Sequence, residues 1–132
     1  MYLLDTNILL ELLLDQDRAD QVEQFMRTIP REKLHISDFS LYSIGVILIR
    51  RKLFETFVQF QNDLIIRGGV RLLRLSVQDM KTIASIAQKF NFDFDDAYQY
   101  TVAEQYGLTI ISFDGDFDRT EKGRRSPAEA VK

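Results

Sequence analysis

The chain has 132 residues, 45% of them hydrophobic and 28% charged, with a formal net charge of −3 and no cysteine. The length suits one domain, residues 1–132, with its own core, and the composition is that of a soluble globular protein. The absence of cysteine excludes disulfides, thiolate metal sites and a cysteine nucleophile, and it fits a cytoplasmic location. The acidic balance excludes a globally basic nucleic-acid binder but leaves room for a local basic surface. No membrane span is expected, because the longest apolar stretch, around Ile44–Ile49, falls far short of the ~20 residues that a bilayer requires. A secretory leader is not expected either, since Asp5 and Glu11 interrupt the only N-terminal apolar run.

In chain order, Met1–Leu4 reads as a short strand that runs into Asp5-Thr6-Asn7, where Asp5 or Thr6 can cap a helix through Ile8–Leu14. Asp15 and Asp17 mark a break. Val22, Phe25, Met26 and Ile29 then recur at helical spacing within Arg18–Ile29, which Pro30 ends. Lys33–Ser37 is a second strand, and Ser37 or Asp38 can cap a helix over Phe39–Arg51. That helix is apolar nearly all round, so it is either buried on several sides or buried on one and used for association on another. Leu53–Arg67 reads as an amphipathic helix ended by Gly68-Gly69, Val70–Leu75 as a third strand, and Val77–Phe90 as a helix capped by Ser76. An Asp-rich helix start leads into Ala97–Tyr106, Gly107 stops it, and Leu108–Ser112 is a further strand. The basic tail turns helical at Pro127. Strands alternating with helices imply an α/β protein, a three-layer α/β/α sandwich with a central parallel sheet of four or five strands.

Carboxylates recur where such a sheet places its ligands, outside the carboxyl ends of strands. Asp5 follows the first strand, Asp114 and Asp116 follow the last, and Asp93, Asp95 and Asp96 stand at the start of the intervening helix. Each also has a plain structural reading: Asp5 and Asp96 as helix caps, Asp114-Gly115-Asp116 as a turn. Together they form a set of repelling charges that a cation would relieve, and an all-oxygen site suits Mg²⁺ or Mn²⁺. Such a cation acidifies water and stabilises charge on a phosphoryl oxygen. Asp5, Asp96 and Asp114 are the first candidate ligands, Asp116 a fourth; Asn7 and Ser112 are placed to orient water or a phosphate oxygen.

Other chemistries are excluded by spacing. Asp114-x-Asp116-x-Asp118 opens like a calcium-binding EF-hand loop, but Arg119 and Arg125 occupy the positions that need Gly and Glu. His35 is the only histidine and sits in a strand, too little for a zinc hydrolase. No phosphate-binding Gly-rich loop is present, and Ser37, Ser40 and Ser43 have no nearby histidine base. Arg119, Lys122, Arg124 and Arg125 follow the last acids directly; they read either as a basic rim that would hold a phosphodiester backbone near the metal or as a solvated charged tail. Tyr98, Tyr100 and Phe113 are candidates to stack on bases, although aromatics at such spacing are more often core.

Taken together, Leu-Leu-Asp5-Thr6-Asn7-Ile8, then Asp96-Ala97 with Ala103 and Gly107, then Leu108-Thr109-Ile110-Ile111-Ser112-Phe113-Asp114-Gly115-Asp116-Phe117, resemble the PIN domain family, which includes VapC-like toxins. The resemblance implies a five-stranded parallel sheet and Mg²⁺- or Mn²⁺-dependent cleavage of RNA, with Asp5, Asp96, Asp114 and Asp116 as catalytic metal ligands. It further implies a ribonuclease that acts as the toxin of a toxin–antitoxin pair, with an antitoxin-like protein covering the acidic site. The Phe39–Ile49 and Leu53–Arg67 helices are candidate homodimer contacts. One departure is plain: where the family's second motif carries a Glu, this chain has Ser43. Asp38, five residues earlier and about 140° around the helix, is poorly placed to substitute, so Glu11, Asp93 or Asp95 would have to compensate. The alternative is a catalytically weakened or inactive module that binds RNA or a protein. A metal-dependent phosphatase is the least supported reading, because Asp5-Thr6-Asn7 lacks a second Asp two positions on.

Overall fold

A computed structural model describes residues 1–132. Four short strands, β1 (Tyr2–Leu4), β2 (Leu34–Ser37), β3 (Arg71–Leu73) and β4 (Thr109–Ile111), form one parallel sheet in the order β3-β2-β1-β4. Successive side chains of a strand face opposite ways, and both faces are covered. Leu4 and Ile111 enter one core with Ile8, Phe25, Ile36 and Leu48, while Leu3 and Ile110 enter a second with Ile83, Ala97 and Val102. Helices α1 (Thr6–Leu13), α2 (Ala19–Thr28), α3 (Asp38–Arg50) and α4 (Phe54–Phe60) pack on the first core, together with the tail helix α7 (Pro127–Ala130). Helices α5 (Met80–Phe90) and α6 (Phe94–Tyr106) pack on the second. This is the expected three-layer α/β/α arrangement. Each fully buried Leu or Phe contributes roughly 1.5–3 kcal/mol relative to exposure, so the two cores hold the short strands in place.

The chain runs outward from β1 to β2 to β3, then crosses back to set β4 on the other side of β1. The strand order therefore reverses between β1 and β4, and a crevice opens beyond their carboxyl ends. Gly107, in the left-handed region at φ 65°, ends α6, and its amide reaches back to the Ala103 carbonyl before the chain enters β4.

The elements differ from the sequence expectation in four places. The Leu53–Arg67 helix is α-helical only over Phe54–Phe60; Gln61–Ile66 widens into a π-helical turn, closed by Arg67 N–H donating to the Asn62 carbonyl at 2.9 Å. Strand β3 stops at Leu73 because the Leu75 amide donates to the Tyr98 hydroxyl rather than to a neighbouring strand. The helix expected from Ala97 begins at Phe94, with Asp93 at its cap position. The fifth strand is reduced to one parallel bridge, Ile111 to Arg125, because the chain turns into α7 at Ser126-Pro127 and proline has no N–H for a ladder.

Helix α3 is not buried all round. It buries Ile44 and Leu48 against the sheet and leaves Tyr42, Val46 and Ile49 on an exposed apolar face.

Gly68 follows the π-helical turn, and a Cβ there would meet the Asp63 and Leu64 carbonyl oxygens at 2.2 and 2.5 Å. Gly68→Ala is expected to lower stability by about 1–3 kcal/mol, as overpacking does. Urea unfolding followed by circular dichroism would measure the loss.

Candidate metal centre

Asp5 stands one residue beyond β1, and its amide donates to the Ile111 carbonyl at 2.9 Å, which extends the β1–β4 pairing to the mouth of the crevice. It does cap α1, its Oδ1 accepting from Thr6 N–H at 2.8 Å. A cap alone would not be buried, and Asp5 is 7% exposed. Its Oδ1 also accepts from Gln99 Nε2 at 3.1 Å, and its Oδ2 from Ser112 Oγ at 2.7 Å. Burial raises its pKa, three hydrogen bonds oppose that rise, and the Asp114 charge adds to it.

Asp96 lies in the first turn of α6 and is not a cap. It is 8% exposed, and its carboxyl is pushed up to about 7, first by burial and then by the negative charges of Asp114, Asp5, Asp116 and Asp95. Its carboxylate stands among like charges, which a bound cation would offset. Asp114 caps the 3₁₀ turn Gly115–Arg119, its Oδ1 accepting from Asp116 N–H at 2.8 Å. Asp116 Oδ1 accepts from Arg119 at 3.2 Å. One carboxylate oxygen each from Asp96, Asp114 and Asp116 lies within 4.8 Å of the others. That donor set, all carboxylate and short of positive charge at Asp96, fits a hard divalent cation.

Of the four acids named from sequence, three thus meet at one point, with Asp5 set behind them and tied to both strands. Asn7 and Ser112 take part in bracing the acids. Ser112 is fully buried; its hydroxyl donates to Asp5, accepts from Asp114 N–H at 2.9 Å and lies 3.2 Å from Asn7 Nδ2. Asn7 Oδ1 accepts from Phe113 N–H at 3.3 Å. The second N–H of Asn7 Nδ2 has no partner within the fold.

Ser43 lines a shallow hollow with Thr6, Phe39, Val46, Ile47 and Asp95. Asp95 is therefore the acid nearest in place to the one that position 43 lacks. Glu11 is already committed, accepting from the Arg18 amide at 2.7 Å and pairing with its guanidinium. Asp38 accepts from the Tyr98 hydroxyl at 2.6 Å.

The basic rim is mostly engaged within the fold. Arg119 donates to the Asn91 carbonyl and pairs with Asp116, Lys122 pairs with Glu104 at 3.2 Å, and Arg124 binds the Ser112 carbonyl and Asp118. Arg125 is the one of the four outside these ion pairs. Tyr98 is buried, and Tyr100 packs on Phe90 and Phe92. Phe113 lies under the Arg18 guanidinium at 3.7 Å. The aromatics are thus structural partners in the fold. His35, buried, sits with Nδ1 3.2 Å from the Tyr2 carbonyl, the structural role expected of it.

Sequence reasoning missed Gln99 and Ser40. Gln99 is 1% exposed on the same face of α6 as Asp96, and its Nε2 also donates to Ser40 Oγ at 2.7 Å. The available signal was a polar residue three positions after Asp96, on the same helix face.

The fold is thus an α/β/α sandwich with carboxylates clustered at the strand-order reversal. The chain matches the PIN domain family model over residues 2–123, and it belongs to that family. Solved structures similar to it include a toxin–antitoxin complex from Klebsiella pneumoniae (21% identity, TM-score 0.77, covering 98% of this chain and 99% of that one). Mycobacterium tuberculosis VapC20, a sarcin-ricin loop cleaving toxin, is similar at 19% identity and TM-score 0.77, over 89% of this chain and 93% of that one. FitAcB from Neisseria gonorrhoeae is similar at 23% identity and TM-score 0.71, over 96% and 98%. No curated protein matches the chain in sequence. No helix is long and apolar enough to cross a membrane.

Asp96 ionises at 3.8 in its ordinary setting and near 7 in the fold. Between those values the unfolded chain has released a proton that the native chain keeps. The group's contribution to stability is therefore complete below the lower value and is lost as pH rises through the upper one. A cation must displace the same proton, so its stabilising effect grows over that range. The gap in thermal midpoint with and without Mn²⁺ is expected to widen from about pH 5.5 to about pH 8. Differential scanning calorimetry checks this, with Asp96→Asn losing most of the pH dependence.

Proposed function

We propose that the protein is a divalent-metal-dependent ribonuclease that hydrolyses RNA phosphodiester bonds. Its biological role in this reading is the toxin of a toxin–antitoxin pair in the cytoplasm. The observation that carries the reading is the grouping of Asp96, Asp114 and Asp116 at the β1–β4 crevice, one carboxylate oxygen of each within 4.8 Å of the others. The family supports it, as does the similarity to a toxin–antitoxin complex and to a sarcin-ricin loop cleaving toxin.

Asp96, Asp114 and Asp116 would hold Mg²⁺ or Mn²⁺, with Asp5 contributing charge from behind. Asp114 and Asp116 each commit Oδ1 to an internal donor and keep the other oxygen for a ligand. When bound, the cation supplies Lewis-acid stabilisation of a phosphoryl oxygen and an acidified water. The chain's own part is to fix those carboxylates on rigid strand ends and to set hydroxyls beside them. Thr6 and Ser43 line the adjoining hollow, where they can donate to an RNA phosphate oxygen, while Asp95 supplies the further negative charge. Arg125 is the rim cation best placed to meet the backbone, since Arg119, Lys122 and Arg124 have partners in the fold. An antitoxin-like protein is the expected partner, and the exposed face of α3, Tyr42, Val46 and Ile49, is the expected homodimer contact.

A second reading, a PIN-like module that binds RNA or protein without cutting it, is favoured by one observation: a hydroxyl, not a carboxylate, at position 43.

A mixed pool of labelled RNAs tests the first reading. Cleavage with Mn²⁺ or Mg²⁺ is expected, stopped by EDTA. Asp96→Asn or Asp114→Asn should reduce the rate beyond the roughly 10–100-fold that an outer partner of a metal site usually costs. No cleavage by folded, partner-free protein would shift the conclusion to the binding module. Ser43→Glu, which adds a carboxylate beside Thr6 and Asp95, is expected to lower the Mn²⁺ concentration needed for half-maximal cleavage by about tenfold. A metal titration of the cleavage rate measures that shift.

A further inference from the structure

Gln99 is nearly sealed from solvent, yet its Oε1 is buried with no hydrogen-bond partner. A buried polar atom left unpaired is costly, and native structures seldom keep one without a reason. The reason lies at the other end of the amide. Nε2 makes two contacts, to Asp5 Oδ1 at 3.1 Å and Ser40 Oγ at 2.7 Å. Turning the amide over would set Oε1 against the Asp5 carboxylate, acceptor on acceptor. The orientation that strands Oε1 is therefore the one that keeps Nε2 on Asp5 and Ser40.

The contacts of Asp5 complete the argument. Oδ1 takes donors from Thr6 N–H and Gln99, and Oδ2 takes one from Ser112 Oγ. A carboxylate has about four lone-pair directions, so one remains, on Oδ2. Ser40 links the same amide to the start of α1: its Oγ accepts from Gln99 and lies 2.9 Å from Thr6 Oγ1. Gln99 thus ties three helix starts (α1, α3 and α6) to one carboxylate without adding charge.

We propose that Gln99 is a positioning residue for the metal centre, fixing the direction of the Asp5 carboxylate that backs Asp96, Asp114 and Asp116. This rests on the metal-dependent reading above. An outer hydrogen-bond partner of this kind typically tunes metal affinity by 10–100-fold.

The test is Mn²⁺ binding by isothermal titration calorimetry on wild type, Gln99→Met, Ser40→Ala and Asp114→Asn, with the thermal midpoint of each cation-free protein. Methionine has the length of glutamine, lacks its donors and removes the stranded acceptor. Gln99→Met is expected to raise the Mn²⁺ Kd by about tenfold or more, while its cation-free midpoint stays level or rises. An unchanged Kd, or a weakened Kd matched by a falling midpoint, would overturn the proposal in favour of a purely structural glutamine. Should Gln99→Met fail to fold, Ser40→Ala reads the same linkage: a Kd raised several-fold supports the proposal and an unchanged one overturns it. Wild type that binds no Mn²⁺, or binds it no less well after Asp114→Asn, would overturn the metal reading and this inference together.

Discussion

The buried Asp5 carboxylate is the point on which the two halves of the molecule meet. It sits where β1 ends, bonds through its amide to β4, and through its side chain to Ser112, Gln99 and the first turn of α1. A charge in that position is tolerable only because three donors surround it. Those donors come from a helix start, a second helix and a strand end, so satisfying one carboxylate fixes the relative placement of all three. The short strands could not do this alone: each contributes three or four residues to the ladder.

Asp96 shows the opposite arrangement. Like Asp5 it is a residue of little exposure, but its carboxylate faces other carboxylates, whose charges add to the effect of burial. Folding without a cation therefore keeps that group protonated across the range where it would ordinarily be ionised. Strain of this kind persists only where the surrounding structure over-determines it. Here the two hydrophobic cores do so, Ala97, Val102 and Ala103 of the same helix anchoring α6 against β1 and β4. The stability lost at the site is supplied by apolar contacts a turn away, which is the usual division between a scaffold and a binding site.

Much of this was legible in the sequence, and the reason is local. Alternating strand and helix signals gave the layers, and Asp5, Asp96, Asp114 and Asp116 could be placed at strand ends and a helix start from their neighbours alone. The failures were cases where a partner distant in sequence decides the outcome. Strand β3 ends early because Leu75 finds the Tyr98 hydroxyl, and the basic rim is neutralised because Glu104 and Asp118 come within reach of Lys122 and Arg124. The bracing part of Ser112 and Asn7 was not visible because nothing local shows that they face each other across 105 residues. Gln99 was passed over for the same cause: a glutamine inside a helix is unremarkable until its burial is known.

Position 43 and Gln99 belong to one question, which is how much negative charge the centre carries. The family pattern would put an acid on α3; this chain puts a hydroxyl there and sets a neutral amide behind Asp5. An additional carboxylate would press further on Asp96, whose ionisation already suffers from four neighbouring acids. With Ser43 that repulsion is smaller, so the cation-free fold is less penalised, but the attraction for a cation is smaller too. Gln99 orients Asp5 with an amide, which brings donors and no net charge of its own. A centre built in this way relies less on total charge and more on the exact direction of each carboxylate, and its affinity for a cation should then depend on the hydrogen bonds behind the ligands as much as on the ligands themselves.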